Sequence, residues 1–90
     1  MRLLILGTGG MAKNHAEKFA EIEGVQLVAG VDTRALQLAE FCDRHGIANR
    51  FATLEQALAW GQFDAVTNVT PDAAHYATTM PILAAGKHIL

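Results

Sequence analysis

Ninety residues suffice for one small domain that buries roughly 60–70% of its unfolded surface, and with 51% hydrophobic residues the chain is globular, not disordered. A net charge of −2, with seven Lys and Arg scattered along the sequence, argues against a nucleic-acid surface or an anionic-membrane footprint. No apolar run approaches the ~20 residues of a membrane span, and Leu3–Leu6 is too short for a signal-peptide core, so a cytoplasmic setting is expected.

Leu3–Leu6 reads as the first strand, apolar without alternation as a strand covered on both faces should be. It runs into Gly7-Thr8-Gly9-Gly10-Met11-Ala12, after which a helical pattern begins at once, with apolar residues at Met11, Ala16, Phe19 and Ile22 and a stop at Gly24. This is the layout of a nucleotide-binding βα unit, with Gly7, Gly9 and Ala12 in the G-x-G-x-x-G/A positions. Gly7 lets the chain turn sharply, Gly9 lacks the Cβ that would hold a pyrophosphate off the backbone, and Ala12 keeps the helix close to the sheet. The free N–H groups of that helix then face the phosphates. Glycine-rich turns also occur in folds that bind nothing, so the turn needs a second signal.

Asp32 supplies it. It follows a second aliphatic run, Val25–Val31, and lies 20 residues beyond Ala12, near the ~20 expected of the acid that hydrogen-bonds the adenosine ribose. A carboxylate there accepts from both ribose hydroxyls and repels a 2′-phosphate, which favours NAD over NADP; the alternative is a loop-opening aspartate. Arg34 keeps NADP open: it can stack on the adenine, pair with a 2′-phosphate, or stay solvated in the first turn of the next helix.

Ala35, Leu38, Ala39, Phe41 and Cys42 form one face of a second helix that ends near Gly46. The single cysteine has no partner for an intrachain disulfide and is expected to pack. Four histidines, His15, His45, His75 and His88, show no ligand spacing, so no metal site is expected. Ile47–Ala52 holds a short third strand; Thr53 caps a third helix with Leu54, Ala57 and Leu58 inward; Phe63–Thr70 is the fourth strand, entered through Gly61. Thr70 as N-cap, Pro71 at the first helical position and Asp72 open the next helix. Its expected buried stripe is Tyr76 or Ala77, Met80, Leu83 and Ala84, with a kink before Pro81 and a stop at Gly86. His88-Ile89-Leu90 begins a fifth strand. This succession predicts an α/β fold, a Rossmann-like doubly wound parallel sheet of order 3-2-1-4-5, with the ligand crevice between strands one and four.

With these residues in place, the chain resembles the N-terminal dinucleotide domain of the Gfo/Idh/MocA (glucose-fructose oxidoreductase / inositol 2-dehydrogenase) family. The glycine turn followed by His15-Ala16 resembles the family's opening turn and helix, and Asp32-Thr33-Arg34 its ribose-reading corner. Val69-Thr70-Pro71-Asp72-Ala73-Ala74-His75 and Ala84-Ala85-Gly86-Lys87-His88-Ile89-Leu90 resemble its Thr-Pro…His segment and Gly-Lys-His strand. The resemblance implies that Gly7, Thr8, Gly9, Gly10, Met11 and Ala12 cradle the cofactor, that Asp32, Thr33 and Arg34 read the adenosine ribose, and that Thr70, Pro71 and His75 lie by the pyrophosphate and nicotinamide ribose. His75 can equally be a packing or surface residue, and His15 reads as structural, on the helix that packs over the sheet. Asn68 departs from the usual apolar strand position. The family continues past the fifth strand into a Glu-Lys-Pro motif, whose lysine is linked to catalysis, and a substrate domain. Lys87 is not that lysine and reads as solvated.

The expected function is therefore the cofactor half of an NAD(P)-dependent oxidoreductase acting on a sugar- or polyol-like alcohol, residues 1–90 forming one dinucleotide-binding domain, a fragment of a longer two-domain enzyme. No residue within it is assigned a catalytic role. A non-catalytic dinucleotide-sensing module and an excised domain for folding study are the alternatives. A domain lacking its companion exposes apolar surface and a strand edge, so self-association is expected as well.

Overall fold

The computed structural model describes residues 1–69 and 79–89, with the side chains at positions 10 and 11 outside that description. Strands and helices alternate as β1 (Arg2–Leu6), α1 (Gly10–Ala20), β2 (Gln26–Val31), α2 (Ala35–His45), β3 (Asn49–Phe51), α3 (Leu54–Trp60), β4 (Ala65–Asn68) and β5 (His88–Ile89), with further helical residues at 79–84. Among the described residues the strands form one parallel sheet in the order β3-β2-β1-β4-β5. This is the predicted doubly wound order.

Because β1 is central, both its faces are covered. Leu4 and Leu6 join Ala29, Val31, Ala57, Phe63, Val66 and Ile82 in one cluster, whereas Ile5 joins Ala12, Ala16, Leu38, Phe41, Cys42 and Ile47 in the other. The first cluster is closed by α3 and the helical residues 79–84, the second by α1 and α2, which explains why β1 carries no alternation. Cys42 packs, as expected. A Cβ on Gly30 would come within 2.9 Å of its Sγ, so α2 sits on β2 about as close as glycine allows. Burial pushes the Cys42 thiol above its ordinary value, with Asp43 adding to the rise and Arg50 opposing it.

Local signals place several element ends. Gly46 and Gly61 close α2 and α3 in the left-handed conformation, and the Thr53 hydroxyl accepts from Gln56 N–H at 3.2 Å to open α3.

Three packing expectations are corrected. Helix α1 ends at Ala20, with Glu21 as its C-cap, so the stripe does not extend to Ile22, which is 49% exposed. Ala35, the first residue of α2, is exposed ahead of the buried stripe. Among the described residues of the last helix the buried one is Ile82, while Met80, Leu83 and Ala84 face outward. At 100° per residue, turning Ile82 to the sheet swings Leu83 to the flank and Met80 and Ala84 to the far side. Tyr76 and Ala77 lie outside the described residues, as does part of the turn preceding Pro81 where the kink is expected; residues 79–84 are helical.

Lys87 is also corrected. Its ammonium donates to the carbonyls of Gly61 (2.9 Å) and Phe63 (2.7 Å) and stands 4.7 Å from the Phe63 ring centroid. It ties β5 to the C-terminal end of α3, where a cation meets the negative pole of the helix.

Candidate functional site

The chain leaves β1 at a peptide group, Leu6–Gly7, whose two ends go to different neighbours. The Leu6 carbonyl accepts from Val69 N–H and Gly7 N–H donates to the Val31 carbonyl, each at 2.8 Å. Gly7 makes the turn with φ +92°, a conformation that residues with a Cβ rarely adopt. Gly9 is the N-cap of α1, with φ −73° and ψ −170°, and contributes no side-chain cap; no acidic residue occupies the first turn. The positive end of α1 is thus left without a carboxylate of its own helix. Ala12 and Ala16 are fully buried against the sheet, as the close helix approach requires.

Thr8, between those glycines, is 4% exposed, and all three of its polar groups are held by the second βα unit. Its N–H and hydroxyl both donate to Asp32 Oδ2, at 2.9 and 2.8 Å. Its carbonyl accepts from Gln37 Nε2 at 2.9 Å. Asp32 is buried at the C-terminal end of β2, and its Oδ1 accepts Arg34 N–H at 2.9 Å, a local turn bond typical of aspartate. Arg34 closes the set with longer contacts, Nε to Oδ1 and Nη2 to Oδ2, both 3.3 Å. Burial raises the Asp32 pKa, but the bonds from Arg34 and Thr8 outweigh it and bring it down to about 2. Asp32 is therefore a fixed anion at neutral pH.

The Arg34 and Gln37 side chains meet again over Gly9. A Cβ built there would lie 3.6 Å from both Arg34 Nη2 and Gln37 Nε2. The missing side chain of Gly9 thus leaves a slot with two nitrogen donors on its rim. Such a slot, beside an uncapped helix N-terminus, suits an anionic group, and the Asp32 carboxylate a few ångströms away suits hydroxyls.

Of the residues singled out in the sequence, Gly7, Thr8, Gly9, Ala12, Asp32 and Arg34 converge on this corner. Gly10 begins α1, and Met11 follows it with its side chain outside the described residues. Thr33 is exposed next to Asp32. Thr70, Pro71 and His75 lie outside the described residues. Arg34 is the N-cap of α2, and its side chain, 65% exposed, pairs with Asp32. Gln37 was missed. Its only sequence signal is its place one helical turn after Arg34, on a helix whose start the glycine turn abuts.

His15, half-buried on α1, places Nδ1 3.4 Å from the Thr67 hydroxyl of β4 and its ring beside Phe19, a packing role. Asn68, half-buried at the end of β4, has a partner. Among the described residues no group of three His, Cys, Asp or Glu could hold a metal, and no helix is long and apolar enough to cross a membrane.

Comparison with known proteins agrees with this geometry. The chain is 32% identical over 99% of its length to a 4-carboxy-2-hydroxymuconate-6-semialdehyde dehydrogenase from Sphingobium sp., of which it spans 28%. It is 33% identical over its whole length to scyllo-inositol 2-dehydrogenase (NADP(+)) IolU from Bacillus subtilis, of which it spans 27%. Among solved structures, the WlbA dehydrogenase from Bordetella pertussis, crystallised with NADH and UDP-GlcNAcA, superposes with a TM-score of 0.94 at 29% identity, over 99% of this chain and 28% of that one. The scyllo-inositol dehydrogenase from Lactobacillus casei, with bound NAD(H) and scyllo-inositol, gives 0.91 at 27% identity, over 99% and 26%. The chain spans little more than a quarter of each of these proteins. Residues 1–90 match throughout the family described as "Oxidoreductase family, NAD-binding Rossmann fold", and the chain belongs to that Gfo/Idh/MocA family.

Proposed function

We propose that this chain is the NAD(P)-binding domain of a dehydrogenase acting on a sugar- or polyol-like alcohol. The observation that carries the reading is the joint geometry of Gly9 and Asp32: a side-chain-free slot rimmed by donors, next to a buried carboxylate ionised at neutral pH. The residues fit the cofactor, because a Cβ at Gly9 would fill the very space a diphosphate needs. In this reading the turn Gly7–Ala12 holds the diphosphate on main-chain amides, and Asp32 accepts from the adenosine ribose hydroxyls. Thr33 flanks that acid, and Thr70, Pro71 and His75 complete the nicotinamide side. The Arg34 side chain has the longest contacts to Asp32 and is 65% exposed, so it is the group that yields when a hydroxyl approaches. Thr8 and the Arg34 amide keep their shorter bonds.

When bound, the nicotinamide supplies the hydride chemistry, and the protein's part is position and electrostatics. No residue of residues 1–90 is proposed as a general acid or base. The relatives support the substrate class, since inositol and sugar dehydrogenases recur among them, and the groups contacting substrate are assigned to the remaining three-quarters of a protein of their length. Titration of NAD and NADP against wild type and Asp32→Ala tests the site. A weakening of NAD by about tenfold or more is expected from loss of a charged acceptor; equal affinities would remove Asp32 from the reading.

A further inference from the structure

Gln37, half-buried on α2, makes one of the few side-chain bonds to the glycine turn among the described residues. Its Nε2 donates to the Thr8 carbonyl at 2.9 Å. That carbonyl belongs to the Thr8–Gly9 peptide, which lies between Gly7 at φ +92° and the N-cap of α1. A peptide followed by glycine flips at little steric cost, because glycine accepts the φ on either side of the flip. The peptide is planar and trans, so its C=O and N–H point in opposite directions. Whatever holds the Thr8 oxygen toward α2 also holds the Gly9 N–H away from α2. Asp32 fixes the preceding peptide through the Thr8 N–H and hydroxyl, but it has no grip on this one. Flipped, the peptide would present an oxygen to an incoming anion in place of a donor.

We propose that Gln37 is a positioning residue for diphosphate binding, holding the Thr8–Gly9 peptide with its N–H available to the anion. It acts through the backbone of the turn, one helical turn along α2 from Arg34. The inference rests on the dinucleotide reading of this corner and adds to it a residue outside the glycine pattern.

The test compares a ligand that carries the diphosphate with one that lacks it. In the intact protein, NADH affinity is measured by fluorescence titration and adenosine affinity by competition, for wild type, Gln37→Met, Gln37→Glu and Gln37→Lys. Met matches the length without a donor, Glu matches the shape with acceptors only, and Lys restores a donor. Met and Glu are expected to weaken NADH about five- to tenfold, the worth of one hydrogen bond, with adenosine within about twofold of wild type. Lys is expected to return NADH to near wild-type affinity. Equal weakening of NADH and adenosine, or Met and Lys variants that behave alike, would overturn the inference. A wild type that binds neither ligand sinks the dinucleotide reading as well, whereas a wild type that binds NADH no better than Gln37→Met and Gln37→Glu sinks this inference alone.

Discussion

The two ends of the sheet use the same chemistry for different purposes. At the N-terminal ends of the strands, the Arg2 amide donates to Asp64 Oδ2 at 2.8 Å, its guanidinium reaches Oδ1 at 3.4 Å, and Lys87 holds two carbonyls. At the C-terminal ends, Asp32 and Gln37 hold every polar group of Thr8. In both places an ionised side chain ties backbone that the sheet ladder leaves free. The difference is room. Lys87 stands against the Phe63 ring and its bonds close on themselves, whereas Arg34 and Gln37 ring the empty Cβ position of Gly9. Charge does not mark a site; donors gathered around a space do.

Filling that space is the sharpest way to separate the two ends. Gly9 has an ordinary φ of −73°, and an added Cβ would meet its neighbours at 3.6 Å, normal contact. Gly9→Ala is therefore expected to fold, losing less than about 1 kcal/mol as a poorer N-cap, while NADH affinity falls by about a hundredfold, ~2.7 kcal/mol. Calorimetric binding with a parallel thermal melt reads both. A variant that binds normally would show that the slot is not where the diphosphate sits.

The opposite outcome is expected at the other end. Lys87→Met keeps the stem but strands the Gly61 and Phe63 carbonyls and removes the cation from the ring. A loss of about 2 kcal/mol in urea unfolding is expected, with cofactor affinity unchanged. Loss of affinity without loss of stability would move Lys87 from brace to site.

Much of this was legible in the sequence, and the pattern of what was not is instructive. Aliphatic runs, Gly46, Gly61 and Thr53 located strands and helix ends because those signals act locally. Asp32 was found because a fixed spacing follows from one βα unit of fixed size. Gln37 and Lys87 were missed or misread because their partners are 29 and 24–26 residues away; no local pattern encodes a side chain reaching a distant carbonyl. Ile82 was missed because a stripe of alternatives, Met80, Leu83 and Ala84, was equally apolar, and only the packed sheet chooses the face.

Acid distinguishes the two aspartates in kind. The Asp64 carboxyl is lowered by the Arg2 amide and guanidinium at an exposed position, whereas Asp32 is lowered to about 2 against the effect of its own burial. A carboxylate whose folded pKa lies below its ordinary 3.8 stabilises the fold above that value and loses the contribution as pH falls toward 2. The stability difference between wild type and Asp32→Asn is expected to shrink by about 1–2 kcal/mol between pH 5 and pH 2, after allowance for solvent screening. Urea unfolding across that range measures it, and a pH-independent difference would mean that Asp32 acts by shape and not by charge.

The smallest effect, and the one that refines the site, concerns Arg34. Asp32 alone should repel the 2′-phosphate of NADP, yet its charge is partly matched by the guanidinium held 3.3 Å away. Because Arg34 is mostly exposed, the pair is worth little to stability, and its removal should scarcely move the unfolding midpoint. Its effect on discrimination is different in kind. With Arg34 gone, Asp32 faces an incoming phosphate as an uncompensated anion, and one donor on the rim of the slot is lost. Arg34→Ala is therefore expected to weaken NADP by about fivefold more than NAD, near 1 kcal/mol, because both cofactors lose the rim donor and only NADP brings a 2′-phosphate to the uncompensated carboxylate. The ratio of the two dissociation constants is the measurement that decides. If it stays fixed, the Asp32–Arg34 pair has no part in telling the two cofactors apart, and the guanidinium belongs with the braces at the other end of the sheet.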